Sequence, residues 1–190
     1  MAGDGNARLF VAVPMTEEAR RAVQAHLRTA APEGLPGRPV AADNWHLTLR
    51  FLGSSTAQQR RGIADALAAA ELGASFRIRF GGLGAFPRPR SARVVWMGIT
   101  EGVERLQELA RIAEQAAREN GYGAEEKPYR PHLTLSRIQP NRDVGRLVES
   151  VPALELEMLV REIVIYQSHL GSGPARYEAV ERFPLNSTAA

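Results

Sequence analysis

The sequence predicts an α+β fold assembled from two related halves. Three observations carry that expectation. Short β-rich runs are interspersed with amphipathic helical stretches, neighbouring runs are close enough to pair as antiparallel hairpins, and one larger unit occurs twice. That unit is a helix, a long loop and a strand reading His-Leu-Thr-Leu.

Taken in order, Arg8 to Val13 alternates as a short strand, and Thr16 offers an N-cap to a helix that begins with Glu17 and Glu18 and runs to about Thr29. Pro32, Gly34, Pro36, Gly37 and Pro39 make residues 31–43 a loop. Asn44 to Leu52 reads as a strand that Gly53 and Ser54 turn, and Thr56 with Gln59 forms a capping-box pattern for a second helix. Ser75 to Phe80 and Val94 to Ile99 form a hairpin-like pair around the proline-stiffened loop Phe86-Pro87-Arg88-Pro89-Arg90. A third helix spans Gly102 to Asn120, with an apolar stripe at Val103, Leu106, Ala110, Ala113 and Ala117 and a stop at Asn120-Gly121. After the strand His132 to Ile138 comes a short helix from Asp143 to Ser150, then strands at Leu154 to Met158, Glu162 to Ser168 and Arg176 to Phe183. The last two are joined around Gly171-Ser172-Gly173, and Asn186 to Ala190 reads as a frayed tail. Residues 1–185 are thus expected to form one bilobal domain.

Composition narrows the function. With 44% hydrophobic and 24% charged residues the chain has material for a core, and no apolar run approaches the ~20 residues of a membrane span. No secretion-signal layout opens the chain, so a cytoplasmic enzyme is the default expectation. The absence of cysteine excludes disulfides, thiolate metal sites and cysteine nucleophiles. Between Glu71 and Glu101 no acidic residue interrupts Arg77, Arg79, Arg88, Arg90 and Arg93, interleaved with Phe76, Phe80, Phe86 and Trp96. That window reads either as a positive surface for a polyanion or as a solvated strand face and loop.

The two tetrads carry the chemistry. Strand alternation puts His46, Thr48 and Arg50 on one face and Trp45, Leu47, Leu49 and Phe51 on the other; Arg130, His132, Thr134 and Ser136 share a face in the second copy. Two such strands facing each other enclose a polar site. Two histidines titrating near neutrality furnish a base and an acid for phosphodiester cleavage, and the threonine hydroxyls can donate to the non-bridging oxygens. One good ligand per motif, with no Asp or Glu on either face, makes a metal site a poor reading, and no metal or other cofactor is expected. A Gly-X-Ser-X-Gly elbow and a phosphate-binding Gly-X-X-X-X-Gly-Lys loop are both lacking. His26 and His169, without a threonine two residues on, are assigned to structure.

The segments Trp45-His-Leu-Thr-Leu-Arg-Phe-Leu-Gly53, Pro131-His-Leu-Thr-Leu-Ser-Arg137 and Phe86-Pro-Arg-Pro-Arg90, with the ending Gly173-Pro-Ala-Arg-Tyr-Glu178 through Phe183-Pro-Leu185, resemble the two-histidine phosphoesterase superfamily. Within it they are most similar to the RNA 2′,3′-cyclic phosphodiesterases once called 2′-5′ RNA ligases. The resemblance implies a bilobal α+β fold in which two pseudo-symmetric antiparallel sheets face each other across a central cleft, with helices on the outer faces. It also implies that His46 is the proton donor to the departing 3′ oxygen, that His132 is the base that activates water, and that the product carries a 2′-phosphate. Phe51 and Arg137, each five residues after its histidine, become candidate substrate contacts, although strict alternation turns both away from the cleft unless a bulge re-aims them. Arg130 is a further candidate on the histidine face. Tyr129, Trp45 and Trp96 read as packing residues.

The implied partner is an RNA end or cyclic nucleotide, and a monomer is the default expectation because the two lobes already supply both catalytic strands. Two alternatives stay open: ligation of a cyclic-phosphate end to a 5′-hydroxyl, and non-catalytic binding of RNA ends.

Overall fold

In the computed structural model of the chain, residues 7–169 and 175–187 are described. Their order is β1 (Ala7–Pro14), α1 (Glu17–Ala30), β2 (Arg38–Pro39), β3 (His46–Ser55), α2 (Ala57–Ala69), β4 (Phe76–Phe86), β5 (Ala92–Glu101), α3 (Val103–Glu119), β6 (His132–Arg142), α4 (Gly145–Ser150), β7 (Glu157–Val160), β8 (Glu162–His169) and β9 (Arg176–Pro184). The strands form two antiparallel sheets, β3-β1-β8-β9 and β2-β6-β5-β4-β7. Apart from the added β2, the two are equivalent strand for strand. β1, α1, a long loop and β3 in one lobe repeat as β5, α3, a long loop and β6 in the other.

Local chemistry explains the elements. The Thr16 hydroxyl accepts from the Ala19 N–H to start α1, and Thr56 and Gln59 complete a reciprocal capping box at α2. Helix α3 buries Leu106, Leu109, Ala110, Ala113, Ala116 and Ala117 along one face, the four alanines allowing close approach. Leu47, Leu49, Leu133 and Leu135 are buried, so each tetrad is anchored by two leucines contributing roughly 1.5–3 kcal/mol apiece.

Both tetrads end in a β-bulge. Along β1, Ala12 pairs with Thr48 and the next residue, Val11, pairs with Arg50, leaving Leu49 as the extra residue. Along β5, Trp96 pairs with Thr134 and Val95 with Ser136, leaving Leu135 as its counterpart. Each bulge reverses the alternation beyond it. Arg50 and Ser136, expected on the histidine faces, are therefore buried on the leucine side, and Phe51 and Arg137 emerge exposed.

The buried pair straps the lobes together reciprocally. Arg50 in β3 bonds to Glu114 of α3, to Glu125 and to the Gly123 and Phe51 carbonyls, holding the loop that leads to β6. Ser136 in β6 donates to the Pro36 carbonyl (2.5 Å), and the Val40 N–H donates to Leu135 O (2.8 Å), holding the loop that leads to β3. That second loop, expected to be irregular throughout, thus contributes β2 to the edge of β6. Gly37 there has φ +84°, and a side chain would collide with the Arg137 carbonyl.

Other differences have similar causes. Gly53 and Ser54 do not turn the chain. Gly53, at φ +70°, sits at a second irregularity in β3, which stays paired with β1 as far as Ser55. The strand expected at Leu154 to Met158 lies at Glu157–Val160, where β4 offers its edge from Phe76 to Arg79. Asn186 is not frayed: its carbonyl accepts from the Ser75 N–H (2.8 Å) and its N–H donates to Gly73 O (2.9 Å). The expected turn at Gly171-Ser172-Gly173 and residues 188–190 lie outside the described residues. Among the described residues no helix is long and apolar enough to cross a membrane.

Candidate active site

His46 and His132 are the first residues of β3 and β6, and each uses that position in the same way. Its Nδ1–H donates 2.7 Å to the carbonyl two residues earlier, Asn44 O for His46 and Arg130 O for His132. A carbonyl can only accept, so the proton is fixed on Nδ1 and Nε2 is the nitrogen left to exchange protons. Asn44 is itself held by donation from its side chain to Ala175 O (2.6 Å).

Aromatic rings wall both imidazoles. Phe10 lies 4.7 Å from His46 and Tyr177 meets it edge-on at 5.3 Å; Phe86 meets His132 edge-on at 5.0 Å, with Trp96 at 6.2 Å. Burial lowers the pKa of His46 to about 4, partly offset by the Asn44 hydrogen bond and deepened by the charges of Arg137 and His132. His132 is also lowered, first by burial and further by Arg137, against the raising effect of its Arg130 hydrogen bond. Arg137 belongs to β6, yet its charge acts on the histidine of the other lobe. Both sites therefore share one electrostatic environment.

The remaining candidates fall around this pair. Thr48 and Thr134 are half-buried beside their histidines, and neither hydroxyl bonds a protein group among the described residues. Phe51 is 57% exposed. A cleft of about 1000 Å³ runs from Thr48, Phe51 and His132 past Phe86, Tyr129 and Arg130. Trp45 is a packing residue, as expected, with its indole N–H donating to Val40 O (3.0 Å). Trp96 packs on Gly84 and Phe86 and so supports His132 from below. His26 bonds Pro152 O (3.0 Å) and His169 bonds Glu178 (2.8 Å), away from the cleft. The arginine window does not form one surface. Arg77 and Arg79 pair with Glu157, and Arg79 also with Glu101, while Arg93 lines the cleft.

The model of the 2′-5′ RNA ligase superfamily matches residues 16–172, a span that holds both histidines and both bulges. The chain belongs to this superfamily. It is 32% identical to the RNA 2′,3′-cyclic phosphodiesterase of Escherichia coli over 94% of this chain and 96% of that one. It is also 32% identical to the enzyme of the same name from Geobacillus stearothermophilus, over 93% of this chain but only 56% of the relative's length. The crystal structure of E. coli LigT in apo form superposes with a TM-score of 0.79, at 29% identity, covering 95% of this chain and 98% of that one.

As a member of the 2′-5′ RNA ligase superfamily the chain was recognisable from its tetrads, but parts of the site were not. Phe10, Tyr166 and Tyr177 around His46 come from three different strands; Phe10 and Tyr166 carry no motif, and nothing in the ending that contains Tyr177 pointed to His46. The one available signal was positional. A histidine that opens a strand has the carbonyl two residues earlier within reach of Nδ1, and both tetrads are preceded by irregular backbone.

Proposed function

We propose that this protein hydrolyses 2′,3′-cyclic phosphate ends of RNA or nucleotides to 2′-phosphomonoesters, with His46 as general acid and His132 as general base. The observation that carries the reading is the matched pair of histidines, each with Nδ1–H committed to a carbonyl and each under the charge of Arg137. His132 Nε2 removes a proton from water as the water oxygen bonds to phosphorus. The P–O3′ bond breaks, and His46 Nε2–H protonates the departing 3′ oxygen. Water is consumed and a 2′-phosphate and 3′-hydroxyl result. Thr48, Thr134 and Arg137 surround the phosphoryl oxygens where charge accumulates.

The depressed pKa values bear on this cycle. A buried pair that is neutral when empty becomes singly protonated when an anionic diester enters, because the phosphate charge opposes the desolvation that lowered both values. Among the described residues no three His, Cys, Asp or Glu side chains gather into a metal-binding group. Phe51 and Arg130 line the cleft beside the phosphate position and are assigned to the nucleoside. The two lobes act as one domain, each supplying one histidine, so a monomer suffices; we place the enzyme in the cytoplasm.

The test is turnover of 2′,3′-cyclic AMP in chelator, followed by phosphorus NMR. Accumulation of 2′-AMP is expected. Accumulation of 3′-AMP would refute the assignment of the leaving oxygen, and an absence of turnover with retained RNA binding would refute catalysis. A 5′-hydroxyl oligonucleotide added to the same mixture reads out ligation.

A further inference from the structure

We infer that the cleft leading away from His132 is a binding groove for the RNA chain on the 5′ side of the cyclic phosphate. This rests on the cyclic-phosphodiesterase reading and extends it to the form of the substrate.

The groove is larger than the chemistry needs. Its volume of about 1000 Å³ lies at the top of the range for small-molecule sites, and it touches the reaction centre only through Thr48 and His132. From there it continues between β5, α3 and the loop that precedes β6. His46, Thr134 and Arg137 do not line it. It is therefore an extension of the centre with walls of its own.

Its charge is sorted. The groove's carboxylates, Glu114 and Glu125, are both bound to Arg50. Arg93 of β5, Arg111 of α3, and Lys127 and Arg130 of the loop have no carboxylate partner among the described residues. These cations come from distant segments, yet they line one channel. Apolar surface from Phe51, Phe86 and Pro128 lies among them. Unpaired cations around the exposed Phe51 ring and the half-buried Phe86 ring suit single-stranded nucleic acid, in which phosphates and bases alternate along one path.

The chemistry of the substrate fixes the direction. A 2′,3′-cyclic phosphate occupies the 3′ terminus, so the polymer continues only through its 5′ oxygen. A polyanion entering this groove while its end reacts must be that upstream segment.

The experiment compares kcat/KM for 2′,3′-cyclic AMP and for an oligoadenylate trinucleotide ending in a 2′,3′-cyclic phosphate, in wild type and in R111S/K127S, across a salt series. Wild type should favour the trinucleotide at least tenfold. The double variant should lose most of that preference while its rate on cyclic AMP stays within about twofold. Its log kcat/KM against log salt for the trinucleotide should flatten by about 1.4, from roughly 0.7 per lost phosphate contact on a single strand. Equal wild-type kcat/KM on the two substrates, or a preference that survives in the double variant, would overturn the groove assignment alone. Failure of wild type to turn over either substrate would overturn the underlying activity, and the groove with it.

Discussion

Replacing Arg50 with alanine should cost more stability than any single change at the rim of the cleft. Arg50 is 8% exposed, and its side chain bonds to Glu114, Glu125 and the carbonyls of Phe51 and Gly123. Removing one partner of a buried ion pair typically costs about 3–5 kcal/mol, because the other charge is left unpaired. Here the bared carboxylates belong to side chains 26% and 47% exposed, which water can partly resolvate. The low end, about 3 kcal/mol, is therefore expected. For a chain of this size that corresponds to a fall in Tm of about 6–12 °C. Thermal and urea denaturation measure the loss, and amide exchange locates it. Exchange should accelerate in residues 121–129, the loop that Arg50 holds. A loss under about 1 kcal/mol with unchanged exchange in that loop would refute the strap.

Gly37→Ala should loosen the opposite strap, because the added methyl meets the Arg137 carbonyl at a positive φ; a destabilisation of about 1–2 kcal/mol in urea is expected, with faster exchange at Val40. The pH dependence follows from both histidines being lowered from their usual 6.5. The productive pair carries one proton, which occurs between its two macroscopic values, so kcat/KM for 2′,3′-cyclic AMP should peak below pH 6.5 and decline on the alkaline side. The unfolded chain binds the proton of His46 more readily than the native one, so stability should also fall as pH drops from 6.5 towards 4. Because the pair titrates together, that profile cannot say which histidine is the acid. A substrate with sulfur in place of the 3′ oxygen can: its thiolate departs without a proton, so the rate of His46→Ala should recover by orders of magnitude on this substrate and that of His132→Ala should not.

The legible parts of the fold were those set by local chemistry. Thr16, Thr56 with Gln59, and the alanine stripe of α3 lie where short-range rules place them, and the twofold recurrence of His-Leu-Thr-Leu matches the equivalent places of β3 and β6 in the two sheets. The bulges were not legible. An extra residue at Leu49 or Leu135 is a property of the neighbouring strand's register, and alternation read along one strand puts Arg50 and Ser136 on the wrong face. The same blindness affected charge. Proximity in sequence singled out Arg77 to Arg93, of which only Arg93 lines the cleft, where it is joined by Arg111 of α3 and by Lys127 and Arg130 of the loop before β6. Sequence distance does not report which arginines find a carboxylate.

The central claim is that two histidines, one from each lobe, perform the chemistry as a pair. The most direct measurement is kcat on 2′,3′-cyclic AMP for His46→Ala, His132→Ala and the double variant, with circular dichroism to verify the fold of each. Loss of acid–base catalysis is worth about 10²–10⁴-fold for each group. Groups acting as a unit are non-additive, so the double variant should be little slower than the worse single one. A single variant that folds and keeps a rate near that of wild type would contradict the claim.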